Sequence, residues 1–277
     1  MPLVTMNEIL PIARKERRAV GAFNVANFET VMTVIHAAEE EQSPVIVQVY
    51  ERLFGNPGIR PLSAMILAAA EDAAVPVAVH LDHGASIDQV ARAIRYGYTS
   101  VMFDGSKLEF EENVRLSRQV AELAHAVGAS AEAEIGHVPM NAQDDIPLSD
   151  PDEAVEFAER TGVDVLAVSI GTRHGFYKSE PKIDVDRCRR IAERLPIPMV
   201  LHGGSGTPMD KVREVIQCGV AKVNIATEFQ HRFIELVGRA AAEKGDSFLP
   251  VDRFMGPPLD ELTAFVRERI RILSGAS

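Results

Sequence analysis

Cysteine is nearly absent from this 277-residue chain: only Cys188 and Cys218 occur, both in stretches of helical pattern. They are read as buried thiols, not as a disulfide or a ligand pair. Long apolar runs are missing too, with none near the roughly 20 residues that a membrane span needs. The opening stretch from Met1 to Glu8 has neither a basic n-region nor an apolar h-region, so export is not expected and a cytoplasmic location is. Positive charge is in deficit, since 29 Lys and Arg against 40 Asp and Glu leave a net charge of −11. That argues against general nucleic-acid or anionic-membrane partners, while leaving room for a local positive pocket that takes an anionic substrate. No linker composition or low-complexity stretch divides the chain, and residues 1–277 are expected to form a single domain.

What the chain does have is a steady alternation. Val- and Ile-rich runs at 19–25, 44–49, 75–83, 99–104, 130–136, 163–171, 198–203 and 220–227 read as strands buried on both faces. Helical patterns at 28–41, 61–73, 87–96, 109–127, 151–160, 184–194, 209–218 and 228–243 follow them in turn. Eight such pairs with short connections imply a (β/α)8 TIM barrel. A doubly wound open sheet is the rival fold. It is disfavoured because polar residues follow many strands instead of one switch point. A short N-terminal helix is expected from Thr5, with Glu8 closing a capping box. Pro257 and Pro258 should break the chain before an extra C-terminal helix at 259–273, packed across the barrel or on a partner subunit.

The strand ends carry the chemistry. The run Val77–Gly84 is apolar until it finishes in Asp82, His83 and Gly84, which is poor core design unless the end opens onto a site. His174 follows the sixth strand and His202 the seventh, each also beside a glycine. Three histidines from three strands can form a three-coordinate imidazole site with an open position, and neutral ligands leave the ion's charge intact for Lewis-acid work. The remaining ends supply Asn24, Asp104, Glu132, Glu134, Asn224 and Thr227. His80, deeper in the third strand, is expected to be a hydrogen-bonded interior residue. The small residues of His202-Gly-Gly-Ser-Gly-Thr suit an anion at a helix N-terminus, and Asn224-Ile-Ala-Thr227 ends the adjacent strand at another helix start.

Six stretches together resemble the zinc-dependent class II ketose-bisphosphate aldolases, a family that includes fructose- and tagatose-bisphosphate aldolases. They are His80-Leu-Asp-His83-Gly, Phe103-Asp-Gly-Ser, Glu132-Ala-Glu134-Ile-Gly, Ile170-Gly-Thr-Arg-His174-Gly, Leu201-His-Gly-Gly-Ser205 and Val223-Asn-Ile-Ala-Thr227. The resemblance runs from Ala22-Phe-Asn24 to the terminal helix. It implies one Zn2+ per subunit on His83, His174 and His202. Asp82 would be the acid/base acting on the aldehyde oxygen, and Asp104 and Glu134 a second or alternative ion site. It also implies that Gly175, Gly203, Ser205 and Thr227 hold the phosphate of dihydroxyacetone phosphate, with Asn224 and Asn24 on the substrate and a monovalent cation (Na+ or K+) near the phosphate glycines. The implied reaction is reversible cleavage of a ketose phosphate into dihydroxyacetone phosphate and an aldehyde, through an enediolate stabilised by the zinc. Homodimers or homotetramers are the implied assemblies.

Three departures concern the aldehyde half. The loop after the fifth strand is short and has no glutamate to abstract the carbon-bound proton, leaving Asp144, Asp145 or His137 as substitutes, or a different route for that step. Tyr50 stands where relatives usually have a serine, and Ala226 stands where many strict fructose-bisphosphate enzymes have an aspartate and tagatose-type relatives have alanine. Two rival readings remain: a Schiff-base lyase using Lys222, and a non-catalytic barrel that binds a sugar phosphate. For Lys222 the plainer expectation is a buried ion pair with a neighbouring strand.

Overall fold

A computed structural model of the chain describes residues 2–139, 147–177 and 181–276. Eight parallel strands close into a barrel in sequence order: β1 (Val20–Asn24), β2 (Val45–Tyr50), β3 (Val77–Gly84), β4 (Ser100–Phe103), β5 (Ser130–Ile135), β6 (Val165–Val168), β7 (Met199–Leu201) and β8 (Val220–Ile225). The helices that return the chain are α2 (Phe28–Glu40), α3 (Ile59–Asp72), α4 (Ile87–Tyr96), α5 (Phe110–His125), α6 (Pro151–Thr161), α7 (Val185–Ala192), α8 (Met209–Cys218) and α9 (Thr227–Lys244). The expected (β/α)8 barrel is thus the observed one. Among the described residues no helix is long and apolar enough to cross a membrane.

Two apolar layers hold it. Outward strand residues such as Val47, Val79, Val101, Ala133 and Leu166 pack under the helices, while Val20, Ala22, Ile46, Ala78, Val165 and Val200 form a separate inner cluster. The inner residues are small, and the helix α1 (Met6–Lys15) closes that end by adding Met6, Ile9, Leu10 and Ala13. The capping box at its start is present, with the Thr5 backbone N–H donating to Glu8 Oε2 at 2.7 Å. At about 1.5–3 kcal/mol for each large aliphatic side chain buried, this plug is a substantial share of a domain's net stability. Toward the opposite mouth the interior turns polar, with His80, Ser100, Glu132 and Lys222 all fully buried. His80 is an interior residue as expected, its Nδ1 2.8 Å from Ser100 Oγ.

The last helix differs from the expectation. α10 runs from Val251 to Ser274 with Pro257 and Pro258 inside it, so the two prolines do not stop it. They fall near its start, where the carbonyls that lose their donors belong to exposed Arg253 and half-buried Phe254. Pro258 itself begins the buried stripe that continues through Leu262, Val266, Ile270 and Leu273. That stripe lies on the flank of the barrel against α2, α9 and β1. Both cysteines are free thiols, with Cys188 buried in α7 and Cys218 half-buried at the end of α8.

Candidate active site

Adjacent residues on a strand point to opposite faces, so Asp82 and His83 could not both face the barrel mouth from a regular β3. The strand solves this with an irregularity. Its register against β4 shifts between Leu81 and Gly84, and His83 takes a φ of +53°, a left-handed conformation uncommon outside glycine. The next position has to be glycine, because a Cβ on Gly84 would lie 2.4 Å from the Met102 carbonyl oxygen. Strain of this kind concentrates at functional sites. Here it turns His83 toward the residues described next.

His83, His174 and His202 offer ligand atoms that all lie within 4.8 Å of one another. Their rings are 4.6 Å (His83–His202), 5.0 Å (His83–His174) and 5.9 Å (His174–His202) apart. His174 comes from the loop after β6, because that strand ends at Val168, earlier than the sequence pattern implied; His202 follows β7 directly. A carboxylate fixes the outer nitrogen of two of the rings, half-buried Asp104 for one and fully buried Glu132 for the other. Asp104 Oδ2 is 2.8 Å from His83 Nδ1, and Glu132 Oε1 is 2.9 Å from His202 Nε2. In the tautomers that donate outward to these carboxylates, His83 Nε2 and His202 Nδ1 would present lone pairs to an ion, and both atoms are buried without a hydrogen-bond partner. Buried polar atoms left unpaired are costly, and a divalent ion among the three imidazoles would satisfy them. The donor set therefore fits a metal.

Charge around the cluster favours a cation as well. Burial pulls the His202 imidazole down, but the Glu132 hydrogen bond and the negative charges of Glu134 and Glu132 outweigh it and push its pKa up to about 10. Carboxylates that hold a proton so firmly would favour a metal ion in the same place. His174 has no such carboxylate beside it. Burial, then the positive charge of His83 and His202, brings it down to about 3, so it stands neutral and ready to ligate. The second predicted grouping also exists, because His83, Asp104 and Glu134 bring ligand atoms equally close. Glu134 Oε1 accepts from the Val138 backbone N–H at 3.1 Å, while Oε2 faces His202 Nδ1 at 3.1 Å without hydrogen-bond geometry.

Asp82 sits beside this cluster, held by two amides. Asn24 Nδ2 donates to its Oδ2 at 2.7 Å, and Asn224 Nδ2 donates to its Oδ1 at 3.2 Å. Gln48 Nε2 in turn donates to Asn24 Oδ1 at 2.7 Å, which orients that amide. Burial raises the carboxyl's pKa, but the charges of His83, His202 and Lys222 and the Asn24 bond prevail, and the net shift is downward. Asp82 is accordingly an ionised, buried carboxylate with its two oxygens already directed.

The glycine loops meet on the other side. A Cβ on Gly203 would fall 2.3 Å from the Arg173 carbonyl oxygen, and Gly175 and Gly203 have φ of +83° and +67°. These values require glycine and let the loops after β6 and β7 approach closely. Ser205 Oγ accepts from the backbone N–H groups of Ala226 and Glu228 at 3.2 and 3.3 Å, so it joins the loop to the start of α9 beside Thr227. All the strand-end residues singled out from the sequence therefore lie around one mouth, apart from Asp144 and Asp145, which are outside the described residues. His137 is half-buried, its Nδ1 3.0 Å from Ser106 Oγ.

Lys222 is in an ion pair, 2.6 Å from Glu132 Oε2, with both side chains fully buried. The partner lies across the barrel on β5 and not on a neighbouring strand. Glu132 thereby joins Lys222 to His202, a role that strand-end reasoning missed. The available signal was its spacing of two from Glu134, which puts both carboxylates on the inner face. Gln48 was missed as well, and only its place beside Asn24 across β1 and β2 reveals it.

The model of the family "Fructose-bisphosphate aldolase class-II" matches residues 4–277. A fructose-bisphosphate aldolase of Thermus caldophilus is 41% identical, with 98% of this chain and 97% of that protein covered. A sulfofructosephosphate aldolase of Alkalicoccus urumqiensis is 38% identical, with 98% and 96% covered. The crystal structure of the YdjI aldolase from Escherichia coli K12 superposes with a TM-score of 0.88 at 35% identity, covering 98% of this chain and 97% of that one. With a closed barrel and this grouping of histidines and carboxylates at its mouth, the chain belongs to the class II fructose-bisphosphate aldolase family.

Proposed function

We propose that the chain, acting as one barrel domain, is a zinc-dependent aldolase that reversibly cleaves a ketose phosphate into dihydroxyacetone phosphate and an aldehyde. One observation supports this above the rest: two buried imidazole nitrogens lack partners at the meeting point of His83, His174 and His202, while each ring's other nitrogen is held by a carboxylate. These three residues would hold the ion, with Asp104 and Glu134 as a second or alternative position. Bound there, zinc supplies a Lewis acid that polarises the ketone of the substrate.

The chain's own residues do the rest. Asp82, ionised and aimed by Asn24 and Asn224, takes the proton from the substrate hydroxyl as the carbon–carbon bond breaks. In condensation it returns that proton to the aldehyde oxygen. The donors of Gly175, Gly203, Ser205 and Thr227 are assigned to the substrate phosphate, where closely approaching backbone can meet an anion. A monovalent cation (Na+ or K+) near those glycines, a cytoplasmic location and a homodimer or homotetramer complete the reading.

The test is zinc-dependent exchange of a dihydroxyacetone phosphate proton with deuterated water, together with metal analysis of the purified protein. Exchange should disappear with a chelator and return with zinc. Asp82→Ala should keep its zinc yet lose condensation by a factor on the order of 10² or more, as for removal of a positioned acid/base. Absence of zinc-dependent exchange in the unaltered protein would refute the proposal.

A further inference from the structure

The aldehyde side of the mouth contains a cation that the reaction described above does not use. β2 ends at Tyr50, which is paired with Asp82 on β3, so the phenol ring stands next to the acid/base. Its ring centroid is 5.6 Å from that of His83. The Arg52 guanidinium lies over this ring, 4.7 Å from its centroid. Tyr50 is therefore a shelf that borders both the reacting centre and a positive charge.

The shelf and its charge are held from behind. Residues Glu51–Gly55 form a 3-10 turn anchored by Phe54, which is fully buried, stacks with Tyr96 and meets Tyr98 edge-on. Arg92 fastens the same turn by donating to the Phe54 carbonyl at 2.9 Å. Arg52 itself is exposed, and among the described residues its contact is with the Tyr50 ring, with no carboxylate paired to it. A guanidinium stacked on an aromatic face keeps its N–H edge free for an anion. Around the Tyr50 ring lie the negative charges of Asp82, Glu51 and Asp104, and the chain as a whole carries −11. An anionic aldehyde would be repelled here unless one positive group met it.

We infer that Arg52, presented on the Tyr50 ring, binds a terminal anionic group of the aldehyde substrate, so that the enzyme selects aldehydes ending in phosphate, carboxylate or sulfonate over neutral ones. The inference rests on the aldolase reading. Because Tyr50 is paired with Asp82, an aldehyde with its carbonyl at Asp82 would extend along the ring that carries the guanidinium. Tyr50 contributes as a neutral wall, its phenol pushed up to about 12 by burial and by the charge of Asp82.

The experiment uses zinc-loaded protein and dihydroxyacetone phosphate with two matched pairs of acceptors: glyceraldehyde 3-phosphate against glyceraldehyde, and succinic semialdehyde against butanal. The ratio of kcat/KM within each pair measures selection for the terminal anion. The ratio should exceed about ten in at least one pair, and which pair does so separates phosphate from carboxylate. Arg52→Met should lower it by about tenfold, through KM of the anionic member, as expected when one charge-assisted contact is removed. Arg52→Lys should retain part of it. A ratio near one in both pairs, or a ratio that Arg52→Met leaves intact, overturns the inference. Proton exchange into dihydroxyacetone phosphate by the unaltered protein is measured alongside, so failure of the aldolase reading itself shows separately.

Discussion

Replacing Glu132 by Gln removes one charge from a fully buried chain of contacts and tests what holds the metal site in place. Glu132 stands 2.6 Å from Lys222 Nζ, 2.9 Å from His202 Nε2 and 3.6 Å from His80 Nε2. At an effective dielectric constant of about 20, the Lys222 attraction alone is about 6 kcal/mol, before desolvation of both groups is subtracted. Breaking a buried pair by removing one partner costs about 3–5 kcal/mol, because the other charge stays buried without compensation. For a chain of this length, typical unfolding entropies convert that to a drop in Tm of roughly 5–10 °C. Lys222→Met should lower Tm by a comparable amount. The double variant should be more stable than the sum of the two single losses implies, since neither charge is then left alone. His202 would also lose the carboxylate that fixes its tautomer, and zinc affinity should fall by roughly 10- to 100-fold in Glu132→Gln. The assays are scanning calorimetry on metal-free protein and zinc competition with a calibrated chelator. Strict additivity in the double variant, or unchanged zinc affinity in Glu132→Gln, would refute the reasoning.

Two further outcomes follow from the same geometry. Glu132 is held well below its ordinary value of 4.5, since burial, which raises it, is outweighed by Lys222 and the two histidines. A depressed carboxylate contributes stability above its unfolded pKa and loses it as pH falls toward the folded one. Metal-free protein should therefore lose stability progressively below about pH 4.5, and Glu132→Gln should flatten that part of the Tm profile. Gly203→Ala places a Cβ against the Arg173 carbonyl at a φ of +67°. It should destabilise by about 1–3 kcal/mol and raise KM for dihydroxyacetone phosphate, measured by urea unfolding and by initial rates.

How far the chain could be read without coordinates depended on how local each feature is. The eightfold alternation comes from hydrophobic patterning within each segment, and α4 and α8 end where their periodicity ends, at Tyr96 and Cys218. His83, His174 and His202 were recognisable because each follows an apolar run and adjoins glycine. Pro257 and Pro258 misled for the opposite reason. Local propensity says stop, but the buried stripe through Leu262 and Val266 stabilises α10 enough to carry it past them.

Sequence by itself thus determined the barrel, the ends of its strands and the kinds of groups gathered there. Only closure of the sheet decided which groups touch. It set Glu132 of β5 against Lys222 of β8 and His202 after β7, pairings separated by 90 and 70 residues. Closure and the irregularity at His83 also turned two adjacent side chains to one mouth, and the buried Phe54 fixed Arg52 over Tyr50. The physical reason is that patterning specifies which face a residue takes, whereas a contact across the interior depends on strand tilt, register and packing summed over the whole barrel.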